Sequence, residues 1–164
     1  MLTTQQTNKA KECGNILLRC GREGWQKTLD DVQYLTRVTV IEINRLLGYG
    51  GALRDDNLLE SALAAPKNAG YYEGADLVTQ AATLIERLAL NHPFIDGNKR
   101  TALIAGSTFL FINSFYVVYK DEMDEAAYGI EIELLVAKKD FRRFMQWFEA
   151  HIQPYEGGYV DEEG

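Results

Sequence analysis

From about Asn98 to Asn113 the chain reads NKRTALIAGSTFLFIN, a run of helical length that is apolar nearly all round once past its first turn. A surface helix needs only one apolar stripe, whereas a helix without a polar side has to be enclosed by other elements. The stretch therefore predicts a buried central helix and, with it, a helical bundle. The flanking sequence supplies the walls. LTRVTVIEINRLLGYGG has apolar residues at Val40, Ile43, Leu46 and Leu47, Thr36 or Thr39 as N-cap, and Gly48 as a stop. LRDDNLLESALAAP places Asp55 and Asp56 at a helix N-terminus, where the dipole favours acids, and is expected to end before Pro66. ADLVTQAATLIERLALNH aligns Leu77, Ala81, Leu84 and Leu88 on one stripe and must end near Asn91, because Pro93 drives His92 away from helical angles.

Two further amphipathic segments follow, DEMDEAAYGIEIELLVAKK and DFRRFMQWFEAHI. The only β-prone run between them and the central helix is FYVVY, residues 115–119. An all-α domain is the expected class. At 164 residues the chain suits one domain with a sizeable core. We divide it into an N-terminal extension of unknown role (1–32), a helical domain (33–153) and an acidic, glycine-rich flexible tail (154–164).

Charge and composition exclude some functions. The formal charge is −7 with no basic block, which disfavours nucleic acid as a partner. No signal peptide or membrane span is visible, and the longest apolar run is interrupted by Gly106, Ser107 and Thr108. The expected location is cytoplasmic. Cys13 and Cys20 lack companion histidines, so zinc is not expected and two free thiols are.

The chemistry is concentrated just ahead of the central helix, in HPFIDGNKRT, residues 92–101. Gly97 gives a turn that a ligand can approach closely, and the free N–H groups of the helix behind it favour anions. Lys99 and Arg100 put two cations where the helix dipole makes cations unfavourable, a conflict that a bound phosphate removes. The Asp96 carboxylate is suited to hold Mg²⁺ against phosphate oxygens. Histidine is the side chain whose unperturbed titration falls near neutrality, which makes His92 the candidate acceptor of a hydroxyl proton. Taken singly, each residue has an ordinary structural role: an Asx turn for Asp96, solvated charges for Lys99 and Arg100, a core anchor for Phe94. His151, near the end of the last helix, is read as structural.

Taken together, His92, Phe94, Asp96, Gly97, Asn98 and Arg100 meet all six specified positions of His-x-Phe-x-(Asp/Glu)-Gly-Asn-x-Arg, and the stretch resembles the signature of the Fic/Doc superfamily. At ~1/20 per position, a chance match in a chain of this size is on the order of one in 10⁵ or rarer. GALRDDNLLESALAAP upstream and TALIAGSTFLFINSF downstream resemble the Doc-like (death-on-curing) branch, and the resemblance covers about residues 33–150. It implies a Fic-type helical bundle with a short β-hairpin flap, whose counterpart is assigned to PKNAGYYEGADL, residues 66–77. It implies ATP as substrate with Mg²⁺. It makes His92 the general base, Asp96 the metal ligand, Gly97 and Asn98 the phosphate-holding turn, Lys99 and Arg100 the phosphate-contacting cations, and Phe94 the structural anchor.

Departures from the pattern select a branch. AMP-transferring Fic enzymes usually continue Gly-Asn-Gly-Arg-x-x-Arg, whereas here Lys99 replaces the second glycine and Leu103 the second arginine. Losing an arginine removes a bidentate phosphate clamp, and lysine adds a point charge elsewhere. Lys99 to Leu103 resembles Doc, which transfers the terminal phosphate, although Gly97 keeps the Fic residue where Doc has alanine. Phosphoryl transfer to a Ser/Thr hydroxyl of a target protein is therefore ranked above AMP transfer, with a nucleotide-binding interaction module without turnover as the reading of another class. The resemblance suggests a translation component such as elongation factor Tu as target. The self-restraining helix of many Fic enzymes, (Ser/Thr)-x-x-x-Glu-(Gly/Asn), is not found here, so a separate antitoxin is the expected partner.

Overall fold

The computed structural model describes residues 31–155. The expectations for the N-terminal extension, for Cys13 and Cys20, and for the tail beyond Tyr155 fall outside the described residues. Among the described residues there are six α-helices and two short strands: α1 (Arg37–Asn44), α2 (Asp56–Glu73), α3 (Leu77–Asn91), α4 (Asn98–Ile112), β1 (Phe115–Val117), α5 (Glu122–Lys138), α6 (Phe141–Ala150) and β2 (Ile152–Pro154). A π-helical turn, Arg45–Tyr49, continues α1. No helix among the described residues is long and apolar enough to cross a membrane.

Side-chain caps set most helix starts, as the sequence signals imply. Thr36, Asp55, Asp76, Asp121 and Asp140 each accept a backbone N–H of the first turn of α1, α2, α3, α5 and α6. Two helices form the centre. α3 packs against α2, α4, α5 and α6, while α4 packs against α1, α3, α5 and β1. They approach so closely that a Cβ on Gly106 would lie 2.3 Å from Ile85 Cγ1, so only glycine fits that crossing. The core gathers Leu59, Leu84, Ile85, Leu88, Phe94, Phe109, Leu110, Tyr128, Ile132, Phe144 and Phe148. Asn113, the C-cap of α4, is fully buried and satisfied. Its Nδ2 donates to the carbonyls of Gln33 and Phe109 (2.8 Å each), and its Oδ1 accepts from Gln33 N–H.

The structure differs from the sequence reading in four places. α2 runs through Pro66, which is buried inside the helix, rather than ending before it. Proline removes one hydrogen bond there, and the buried face of α2 (Leu59, Ala62, Pro66, Ala69) compensates through packing. Residues 66–73 are consequently helical, with only Gly74 to Asp76 linking to α3; the small antiparallel pairing forms instead between β1 and β2, Phe115 opposite Pro154. Leu46 and Leu47 are exposed and Asn44 is buried, because the π turn and Gly48 (φ +93°) rotate the chain out of the α1 stripe. Finally, α4 is not enclosed all round. Ile104, Phe111 and Ile112 reach the surface, and a cavity of about 310 Å³ opens between α4 and β1, lined by Ile104, Ser107, Phe111, Tyr116 and Tyr119 among others.

Candidate active site

The loop between α3 and α4 carries the motif, and its shape is set by three anchors. The first is Phe94, almost fully buried in the core. Asn98 grips it from the first turn of α4: its Oδ1 accepts Phe94 N–H (2.8 Å) and its Nδ2 donates to Phe94 carbonyl (2.9 Å). The carboxamide is thereby committed to holding the loop.

The second anchor is the segment ahead of α2. Leu53 and Phe94 form an antiparallel bridge. Arg54 and Asp55 N–H donate to Pro93 carbonyl (2.7 and 3.3 Å), and Ile95 N–H donates to Ala52 carbonyl (3.1 Å). The Arg54 side chain also reaches the end of α3, where Nε donates to His92 carbonyl and Nη2 to Asn91 carbonyl, both at 2.8 Å. His92 is the C-cap of α3 in the left-handed conformation (φ +49°, ψ +57°). A non-glycine residue pays roughly 1–2 kcal/mol for that conformation, so it has to be held.

The third anchor is Asn44, fully buried at the end of α1. Its Nδ2 donates to Asp96 carbonyl (2.9 Å) and to Thr101 Oγ1 (3.0 Å), and its Oδ1 accepts Gly51 N–H (2.9 Å). One side chain thus ties α1, the segment ahead of α2, the loop and the first turn of α4 together.

These anchors leave the polar side chains outward. His92, Asp96 and Arg100 are exposed. Among the described residues, neither the His92 imidazole nor the Arg100 guanidinium has a hydrogen-bond or ion-pair partner. Asp96 Oδ1 accepts Gly97 N–H (2.7 Å). Gly97 is the N-cap of α4 with φ +75° and no side chain to cap it, so α4 is the one α-helix among the described residues whose N-terminus lacks a side-chain cap. Its first N–H groups have no helical partner and carry the positive end of the dipole. The Tyr49 ring lies against Gly97: a Cβ there would meet Tyr49 Cδ2 at 2.2 Å. Lys99 is turned differently, its ammonium paired with Glu133 on α5.

Five of the residues singled out in the sequence therefore share one loop and one helical turn: His92, Asp96, Gly97, Asn98 and Arg100 all lie between the C-cap of α3 and the first turn of α4, whereas Phe94 is buried in the core and Lys99 pairs with Glu133 on α5. Sequence reasoning missed Asn44, Arg54, Tyr49 and Glu133. A polar residue between Ile43 and Leu46 was the available signal for Asn44; the others act across distances in sequence that local pattern does not reach. His151 is structural, as expected: its Nδ1 lies 2.7 Å from Trp147 carbonyl and its ring stacks on Trp147.

No group of three or more His, Cys, Asp or Glu side chains among the described residues is arranged to hold a metal ion. Asp96 stands as a single carboxylate. That donor set fits Mg²⁺ carried by a nucleotide, since this ion keeps several waters and is bound through one or two carboxylates plus phosphate oxygens.

Comparison with known proteins agrees with this geometry. The Fic/DOC family matches residues 34–110, which run from α1 through the loop into α4. Over 100 residues the chain is 40% identical to a protein named toxin Doc from Mycolicibacterium smegmatis (strain ATCC 700084 / mc(2)155), a match spanning 57% of this chain and 75% of that protein. With the helical bundle and the sequence match in agreement, the chain belongs to the Fic/DOC family.

Proposed function

We propose that this protein is a toxin of the Doc type that transfers the terminal phosphoryl group of ATP to a Ser/Thr hydroxyl of a target protein. The observation that carries the reading is that, among the described residues, His92 and Arg100 have side chains without partners and, with the Asp96 carboxylate, flank the one α-helix N-terminus that lacks a side-chain cap, that of α4. A structural cap would be acidic or hydroxylic, as at the other helices; this one suits a phosphate supplied from outside.

In the proposed reaction the target hydroxyl oxygen attacks the γ-phosphorus, the bond from that phosphorus to the bridging oxygen breaks, ADP leaves, and the hydroxyl proton passes to the His92 imidazole. Arg100 and the free N–H groups of Asn98 and Lys99 stabilise charge on the transferring group, where positioning and electrostatics supply most of the catalysis. Asp96 would hold Mg²⁺ together with the phosphate oxygens, and the ion would neutralise charge on the β- and γ-oxygens. The Lys99 ammonium reaches the phosphate by leaving Glu133. That pair is exposed on both sides, at 36% and 62%, and such pairs are worth only about 0–1 kcal/mol, so the exchange is cheap.

Lys99 and Leu103 favour phosphoryl over AMP transfer. Gly97 favours the alternative, because it is the residue of AMP-transferring Fic enzymes and its Cα is covered by Tyr49 with no room for alanine. Restraint by a separate antitoxin, a translation factor such as elongation factor Tu as target, and a cytoplasmic setting belong to the same reading. The test is parallel incubation of the protein, Mg²⁺ and a bacterial lysate with γ-labelled or α-labelled ATP. Label from the γ position entering protein, with the α label left in free nucleotide, is the expected result. The reverse pattern would replace phosphoryl transfer by AMP transfer, and no label in protein from either position would leave binding without turnover.

A further inference from the structure

The backbone ladder between residues 52–55 and 93–95 is complete without any side chain of Arg54, since Arg54 N–H, Asp55 N–H, Ile95 N–H and the Leu53–Phe94 bridge supply it. The guanidinium does something separate. It skips the residues already held and bonds the two carbonyls immediately before them, those of Asn91 and His92. These are the last carbonyls of α3, which lack helical partners, at the end of the helix where the dipole favours a cation. A planar fork spans two successive carbonyls; an ammonium does not. The conformation so held is the left-handed one at His92, which is uncommon for a non-glycine residue.

We propose that Arg54 is a positioning residue for His92: its guanidinium locks the histidine backbone in the left-handed conformation and so fixes the direction in which the imidazole leaves the chain. The proposal deepens the phosphoryl-transfer reading and rests on it for the catalytic consequence, but not for the conformational one. Arg54 is exposed and its backbone bonds survive substitution, so variants at this position are expected to fold.

The experiment compares wild type with Arg54→Lys and Arg54→Ala in two measurements. In NMR spectra of the full chain, Arg54→Ala should shift the backbone amide signals of Asn91 to Phe94 and the ring signals of His92, leaving the core signals in place, with Arg54→Lys intermediate. In transfer assays, kcat should fall on the order of 10- to 100-fold for Arg54→Ala while KM for ATP stays within about twofold, because misplacement of a reacting group is paid in the chemical step. Added guanidinium at low millimolar concentration should restore part of the activity to Arg54→Ala and none to wild type. His92 signals unmoved in a folded Arg54→Ala protein would overturn the proposal, as would His92 signals moved with kcat unchanged. Should Arg54→Ala not fold, Arg54→Lys carries the same two readouts. A wild type that transfers no label removes the phosphoryl-transfer reading alone, and the spectra still decide whether Arg54 holds His92.

Discussion

Asn44→Ala is the substitution whose cost can be worked most fully from the structure. The side chain is 0% exposed and makes three hydrogen bonds, to Asp96 carbonyl (2.9 Å), Thr101 Oγ1 (3.0 Å) and Gly51 N–H (2.9 Å). Each bond contributes about 0.5–1.5 kcal/mol net, and a buried partner left unsatisfied costs about 1–3 kcal/mol. Water admitted into the space of the lost carboxamide recovers some of this, so about 3–5 kcal/mol is the expected destabilisation. With an urea m-value of about 1–3 kcal/mol/M, the denaturation midpoint should drop by roughly 1.5–2.5 M. Thr101→Val removes only one of the three partners and should cost about 1–2 kcal/mol. Asn44→Asp keeps the acceptor for Gly51 N–H but turns a buried carboxylate oxygen toward Asp96 carbonyl, and should be no milder than alanine. Where the folded form of Asn44→Ala persists, ATP affinity should fall as well, because the loop has lost its tie to α1. A midpoint within about 0.3 M of wild type, corresponding to under about 1 kcal/mol, would refute the claim that Asn44 is the joint of the site.

Gly97→Ala should cost roughly 2–4 kcal/mol, about 1–2 from the left-handed φ and the rest from the collision with Tyr49. Adding Tyr49→Ala should recover the collision part alone, giving a coupling of about 1–2 kcal/mol in thermal melts; strict additivity would show that the ring yields freely. Asp96→Asn keeps an oxygen for Gly97 N–H and removes only charge, so it should leave stability near wild type while weakening ATP binding in Mg²⁺; affinities independent of Mg²⁺ in both proteins would remove the metal role. Glu149 has its carboxyl pushed above the ordinary carboxylate range by burial and, secondly, by the nearby Asp76 charge. The folded state then holds the proton more tightly than the unfolded one, so this group costs stability as pH rises through and above that range. Glu149→Gln should raise the melting temperature at neutral pH, with the gain fading as pH falls below the carboxylate range; an unchanged melting temperature across that window would contradict the shift.

Local chemistry made α3 and α4 legible. Pro93 stops one, an apolar run of fixed length defines the other, and between them the motif is contiguous, so one loop and one helical turn suffice to gather His92, Asp96, Gly97 and Arg100. Asp55 ahead of α2 and Thr36 ahead of α1 were readable for the same reason, since a cap acts within its own first turn; the like caps of α3, α5 and α6 are Asp76, Asp121 and Asp140. What sequence pattern did not disclose lies between elements. Arg54 reaches a carbonyl 38 residues away and Asn44 one 52 residues away, and no periodicity encodes either. The Glu133 partner of Lys99, 34 residues on, is equally remote. Pro66 misled because its local veto on helix was outweighed by burial of the α2 face on both sides of it. The strand FYV was readable as β-prone, but its partner IQP, which ends in a proline, was not.

The central claim is that His92 accepts the proton of the target hydroxyl while taking no part in the core. Its direct test is transfer of γ label to target protein by wild type and His92→Ala at equal protein, ATP and Mg²⁺ concentrations, with thermal melts of both. His92 is exposed and its imidazole is without a partner among the described residues, so the melting temperatures should agree. Transfer by the variant should fall by about 10²- to 10⁴-fold, the usual worth of a positioned general base. A His92→Ala protein that folds as wild type and transfers label at the wild-type rate would contradict the account.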